Sequence, residues 1–153
     1  RERSLLYVVD GHITLPVERW PQLPQAQSVI SLNIPDQVEL SGGWKLNCER
    51  WNIASLAMEE AKSNEDPFQV WLDAQELSDS LELRARQEGD RFEPLGMDGH
   101  ETKLSDFFIN VKLPQRARDR WPILCIGERV VWVPGYRPAQ PIRLTEKENE
   151  CRF

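Results

Sequence analysis

Apolar and polar positions alternate through much of the first half of the chain, and helical spacing takes over only beyond residue 100. Leu5–Asp10 reads as a strand running into an Asp10-Gly11 turn, with Ile13–Leu15 as a return strand. Pro16, Pro21 and Pro24 then predict an extended, irregular connection, because each proline disfavours helix at the residue before it. Ser28–Ile34 has the pattern of a half-buried strand. Val38–Leu40, the turn Ser41-Gly42-Gly43 and Trp44–Ile53 predict a hairpin. Along its second arm Trp44, Leu46, Cys48 and Arg50 share one face, and Lys45, Asn47, Glu49 and Trp51 the other. Ala54–Asp66 loses β-branched residues and ends in a polar cluster, the signature of a surface loop or short helix. Phe68–Leu72 and Leu81–Arg86 are strands, joined by a helical turn at Asp73–Leu77 in which Asp73 and Glu76 have capping-box spacing.

Further on, the Gly-rich and charged stretch Gln87–Gly99 predicts a loop. In Glu101–Val111, Leu104, Phe107, Phe108 and Val111 recur at the spacing of one helix face. Pro114 suits the first turn of a second helix reaching about Arg120. Ile123–Ile126 and Arg129–Val133 flank Gly127 as a hairpin, and Ile142–Thr145 adds a final strand. The order of elements predicts an α+β fold, β-rich, with a mainly antiparallel sheet and a short helical pair in the C-terminal half. The expected division is a β-rich connecting subdomain at 1–86, a second domain at 87–145 and a tail at 146–153.

Composition agrees with a packed molecule. Of 153 residues 40% are apolar, including six Trp and five Phe, too many for a disordered chain. No apolar run approaches the roughly 18 residues of a membrane span. The charged start Arg1-Glu2-Arg3 makes a poor signal peptide, so a cytoplasmic protein is expected, and its start at Arg1 suggests a piece of something longer. Cys48, Cys125 and Cys151 are far apart with no CxxC spacing, and His12 and His100 stand alone, so free thiols and no metal site are expected. The net charge of −6 conceals an asymmetry: residues 1–83 carry −8, residues 84–143 carry +3 and the last ten −1. Attraction to phosphate depends on the local face, so the second half alone is suited to nucleic acid.

Ser41-Gly42-Gly43 is the one hint of a pyrophosphate loop, but such a loop continues into Asp-Ser and opens a helix. Here Trp44-Lys45-Leu46 follows in a strand pattern, so a β-turn is the better reading and no cofactor site is assigned. No Ser/His/Asp set can be assembled, and Glu59-Glu60 and Glu65-Asp66 lie in polar runs expected to be solvated. No catalytic residues are assigned.

The informative stretches are Gly89-Asp90-Arg91-Phe92-Glu93-Pro94-Leu95-Gly96, Lys103-Leu104-Ser105-Asp106-Phe107-Phe108, Arg118-Asp119-Arg120-Trp121-Pro122 and Val131-Trp132-Val133-Pro134-Gly135-Tyr136-Arg137. In this order they resemble the C-terminal domain of bacterial tRNA(Ile)-lysidine synthetases, closely over Glu88–Arg137 and more loosely over residues 43–86. The resemblance implies a parent ligase that adenylates the wobble cytidine of a CAU-anticodon tRNA(Ile) with ATP and attaches lysine. It implies that ATP belongs to an N-terminal catalytic domain outside this chain, which alone would be inactive, and that this region grips the tRNA body and acceptor stem. A-form stems are held mainly through phosphate, 2′-hydroxyl and shape contacts. Arg91, Lys103, Lys112, Arg116, Arg118, Arg120 and Arg137 are therefore expected at phosphates, and Tyr136 against a ribose or an unpaired terminal base. Phe92, Leu95, Phe107, Phe108, Trp121, Trp132 and Val133 are expected in the core. The alternatives are a structural or homodimerisation domain, or a module that binds its own catalytic half.

Overall fold

The computed structural model describes residues 2–10, 20–52, 65–73, 81–136 and 138–139. Among these, β1 (Glu2–Asp10), β3 (Asp36–Glu39), β4 (Trp44–Asn52) and β5 (Gln69–Asp73) form one antiparallel sheet in the order β3-β4-β1-β5. A second antiparallel sheet has the order β10-β9-β6-β2, from β2 (Val29–Ser31), β6 (Leu81–Arg84), β9 (Ile123–Ile126) and β10 (Arg129–Trp132). The short ladder of β7 (Arg91–Phe92) with β8 (Thr102–Lys103) leads directly into helix α1 (Leu104–Asn110), which is followed by α2 (Gln115–Arg118). The expected β-rich α+β fold with antiparallel sheets and a short helical pair is what the chain adopts.

The period-2 pattern explains how the layers stack. Trp44, Leu46 and Cys48 on β4, with Val70 and Leu72 on β5, are buried against Leu81, Leu83, Leu124, Val131 and Trp132 of the second sheet. On β9 the neighbouring positions Ile123 and Cys125 point the other way, into a second core with Leu104, Phe107, Phe108, Leu113, Ala117 and Trp121. The second sheet is thus covered on both faces, by a sheet on one side and by the helical pair on the other. Register slips between Val130 and Trp132, so Val131 and Trp132 both enter the first core while Val130 and Val133 enter the second. This sheet takes strands from both sides of residue 86.

Several local expectations change. Gln87–Gly99 is not loop throughout, because Arg91 and Phe92 pair with Lys103 and Thr102. That ladder uses the residues expected to open the first helix, which begins at Leu104 with its N–H on the Asp90 carbonyl, 2.9 Å away. Pro114 precedes the second helix with ψ 131°, an extended value, and the helix ends at Arg118 before the chain turns at Trp121-Pro122. Ser41-Gly42-Gly43 is the hairpin turn, closed by Leu40 N–H on the Trp44 carbonyl at 2.8 Å, with both glycines at φ 79°. The expected elements at Ile13–Leu15 and Ile142–Thr145, nearly all of Ala54–Asp66 and most of Asp73–Leu77 lie outside the described residues. Of the expected core, Phe92, Phe107, Phe108, Trp121, Trp132 and Val133 are buried, whereas Leu95 is half-buried.

Candidate nucleic-acid interface

The Gly89–Gly96 motif is organised by a buried ion pair. Arg84, 4% exposed on the helix-facing side of β6, donates from Nη1 and Nη2 to the two carboxylate oxygens of Asp90 at 2.8 and 2.9 Å. Arg84 Nη1 also donates to the Ala85 carbonyl, and Asp90 accepts the Gln87 N–H at 2.6 Å. The hydrogen bond to Asp90 raises the Arg84 pKa above its ordinary value against the desolvation that opposes it. Asp90 thus pairs with Arg84 rather than with its neighbour Arg91, which instead meets Glu101, Nε to Oε2 at 2.9 Å.

The candidate cations fall into two groups. Arg91 and Lys103 are direct partners in the β7–β8 ladder, both exposed, with Phe92 directed inward against Phe107 at 5.0 Å between ring centres. Lys112 is exposed where α1 ends. The Leu113 and Lys112 N–H groups return to the Phe108 and Ile109 carbonyls, which puts Lys112 at φ 58°, a position glycine normally takes. Arg116 is exposed on α2 with its guanidinium 5.0 Å from the centre of the Trp20 ring. Among the described residues Lys103 and Lys112 make no ion pair.

Arg118, Arg120 and Tyr136 make internal contacts. Arg118 Nε donates to the Leu113 carbonyl at 2.9 Å. Arg120 donates from Nε to the Leu23 carbonyl at 2.7 Å and from Nη2 to the Ser41 hydroxyl at 3.1 Å. Tyr136 packs its ring against Phe107 and Trp121, and burial raises its pKa. Arg137 lies outside the described residues. Asp119, between Arg118 and Arg120 in sequence, meets Arg86 Nη2 at 3.0 Å.

Sequence reasoning missed Arg84 and Arg86. Arg84 alternates with Leu81, Leu83 and Ala85 and so reads as solvent-facing, a reading that fails once helices cover the second face of the sheet. Arg86 helps line a polar cleft of about 650 Å³ with Gln27, Gln87, Lys103, Ser105 and Asp119. Among the described residues the arrangement presents no nucleophile–base pair. Its chemistry is that of exposed cations on short, well-braced elements, which suits contact with a phosphate backbone.

Comparison with known proteins bears on the same stretch. The family described as "TilS substrate C-terminal domain" matches residues 81–153. A tRNA(Ile)-lysidine synthase of Caldanaerobacter subterraneus subsp. tengcongensis is 34% identical over 87 residues, 57% of this chain and 18% of that protein. One from Symbiobacterium thermophilum is 45% identical over 67 residues, 44% of this chain and 14% of the relative. The chain thus spans a small part of the length of the curated relatives it matches. A solved structure, "Crystal structure of TILS C-terminal domain", superposes with a TM-score of 0.58 and 27% identity, over 77% of this chain and 86% of the other. Residues 81–153, which hold the ladder, the helical pair and the braced Asp90 turn, match the TilS C-terminal domain family, and the chain's fold is similar to that of a solved TilS C-terminal domain.

Proposed function

We propose that this chain is the tRNA-gripping C-terminal part of a tRNA(Ile)-lysidine ligase. Its parent enzyme uses ATP to activate the wobble cytidine of the CAU-anticodon tRNA and joins lysine to it. Chemistry and ATP binding belong to an N-terminal domain, and this region supplies affinity for the tRNA body from the cytoplasm's pool. The observation that carries the reading is the exposure of Arg91, Lys103, Lys112 and Arg116 on β7, β8, the end of α1 and α2, within the stretch that matches the family. Arg118, Arg120 and Tyr136 support those elements through their internal contacts, and Arg137 remains a candidate contact. Neutralising the four exposed cations together in the full-length ligase is expected to raise KM for tRNA at least tenfold with kcat nearly unchanged, since uniform binding is what is removed. An unchanged KM for tRNA sinks the proposal.

One observation favours a second reading, association with another protein surface. Val29 is 52% exposed on the edge strand β2, and Ile109 is 56% exposed on α1. Sedimentation with and without tRNA separates the two: a dimer indifferent to tRNA favours the protein contact.

A further inference from the structure

Arg91 and Lys103 stand directly opposite each other in a ladder of only two residue pairs. Like charges in that position repel, and a ribbon so short does not hold itself together. The ladder therefore depends on braces outside it. Phe92 anchors one strand in the second core. The exposed Arg91–Glu101 ion pair adds little, and the buried contacts converge on Asp90, the residue before Arg91. Its carboxylate is gripped by both Arg84 nitrogens and takes the Gln87 N–H, and its carbonyl takes the N–H of Leu104, the residue after Lys103. One residue thus ties β7, β8, the start of α1 and strand β6.

We infer that Arg84 and Asp90 are positioning residues for tRNA binding: buried away from the RNA, they set the separation of Arg91 and Lys103 so that the two cations engage the phosphate backbone as a unit. This rests on the tRNA-docking reading and adds to it two residues that make no contact with tRNA. It also accounts for charge at a buried position, since an apolar pair of similar volume there is often as stable or more so, yet could not accept the Gln87 N–H or hold the turn at one spacing.

The test uses the full-length protein and tRNA(Ile) transcript, with thermal unfolding recorded for every variant. Arg84→Met/Asp90→Leu is expected to keep its melting temperature within a few degrees and to lose tRNA affinity about as much as Arg91→Gln/Lys103→Gln. The slope of log affinity against log salt should become shallower by about 1.5, the value for two phosphates. A folded Arg84→Met/Asp90→Leu protein with wild-type affinity and slope, beside a weakened Arg91→Gln/Lys103→Gln, overturns the positioning role alone. If Arg91→Gln/Lys103→Gln itself binds normally, the docking reading fails first. Should the apolar pair not fold, Arg84→Lys takes its place: it keeps the charge and loses the two-pronged grip. It is expected to bind several-fold more weakly, and wild-type binding by it overturns the inference.

Discussion

Arg120 reaches across 97 positions of sequence to place its Nε 2.7 Å from the Leu23 carbonyl. The contact is reciprocal, since the Leu23 N–H donates to the Arg120 carbonyl at 2.8 Å, and Gln22 beside it donates to the Ala117 carbonyl at 3.0 Å. With Nη2 on the Ser41 hydroxyl, Arg120 joins the end of α2 to the hairpin turn of the first sheet. Gly135 makes a second joint: its N–H donates to the Pro67 carbonyl, and a Cβ there would stand 3.0 Å from the Phe68 ring.

Arg120→Ala should therefore behave as a stability variant. Losing two charge-assisted hydrogen bonds is expected to cost about 2 kcal/mol in urea unfolding. The salt dependence of tRNA binding should stay that of the wild type. A stable variant with a shallower salt slope would instead make Arg120 a phosphate contact.

Lys112 trades stability for charge. At φ 58° it holds the left-handed position after α1 at a cost that glycine avoids. Lys112→Gly is expected to gain up to ~1 kcal/mol of stability and to weaken tRNA binding several-fold, the two effects moving in opposite directions. Lys112→Ala, strained and uncharged, should lose on both counts.

Under the proposed docking, Glu101 competes with phosphate for Arg91. The pair is surface-exposed, 45% and 59% for the two side chains, so it adds little to folding. Glu101→Gln is expected to leave the melting temperature almost unchanged and to tighten tRNA binding two- to fivefold at low salt, an advantage that fades as salt rises.

The buried thiols give a pH prediction. Burial pushes Cys48 and Cys125 from 9.0 up to about 12, so both stay protonated in the folded chain where they would ionise in the unfolded one. Their contribution to stability is complete below pH 9 and declines as pH rises from there toward 12. A thiol reagent at pH 8 should modify neither until the protein is unfolded, and rapid native-state labelling would contradict the burial.

Much of this fold was legible from residue spacing. Trp44, Leu46 and Cys48 gave the inner face of β4, Leu104, Phe107 and Phe108 gave α1, and Gly127 gave the last hairpin. What escaped was set by tertiary partners. Arg84 looks solvent-facing until the helices cover its side of the sheet, and Asp90 looks like a partner for adjacent Arg91 until β6 is brought beside it. The two-residue ladder has too few positions to show a period. The candidate cations were legible as a set, but only their neighbours in space separate the exposed ones from Arg118 and Arg120, which hold backbone carbonyls.

The account stands or falls on whether the exposed cations hold RNA. The direct measurement is the affinity of the full-length protein for tRNA(Ile) across salt concentrations, wild type beside Arg91→Gln/Lys103→Gln/Lys112→Gln/Arg116→Gln. The expected result is a salt slope shallower by about three, from some 0.7–0.9 for each phosphate released, with an unchanged melting temperature. Matching slopes and affinities for the two proteins would contradict it.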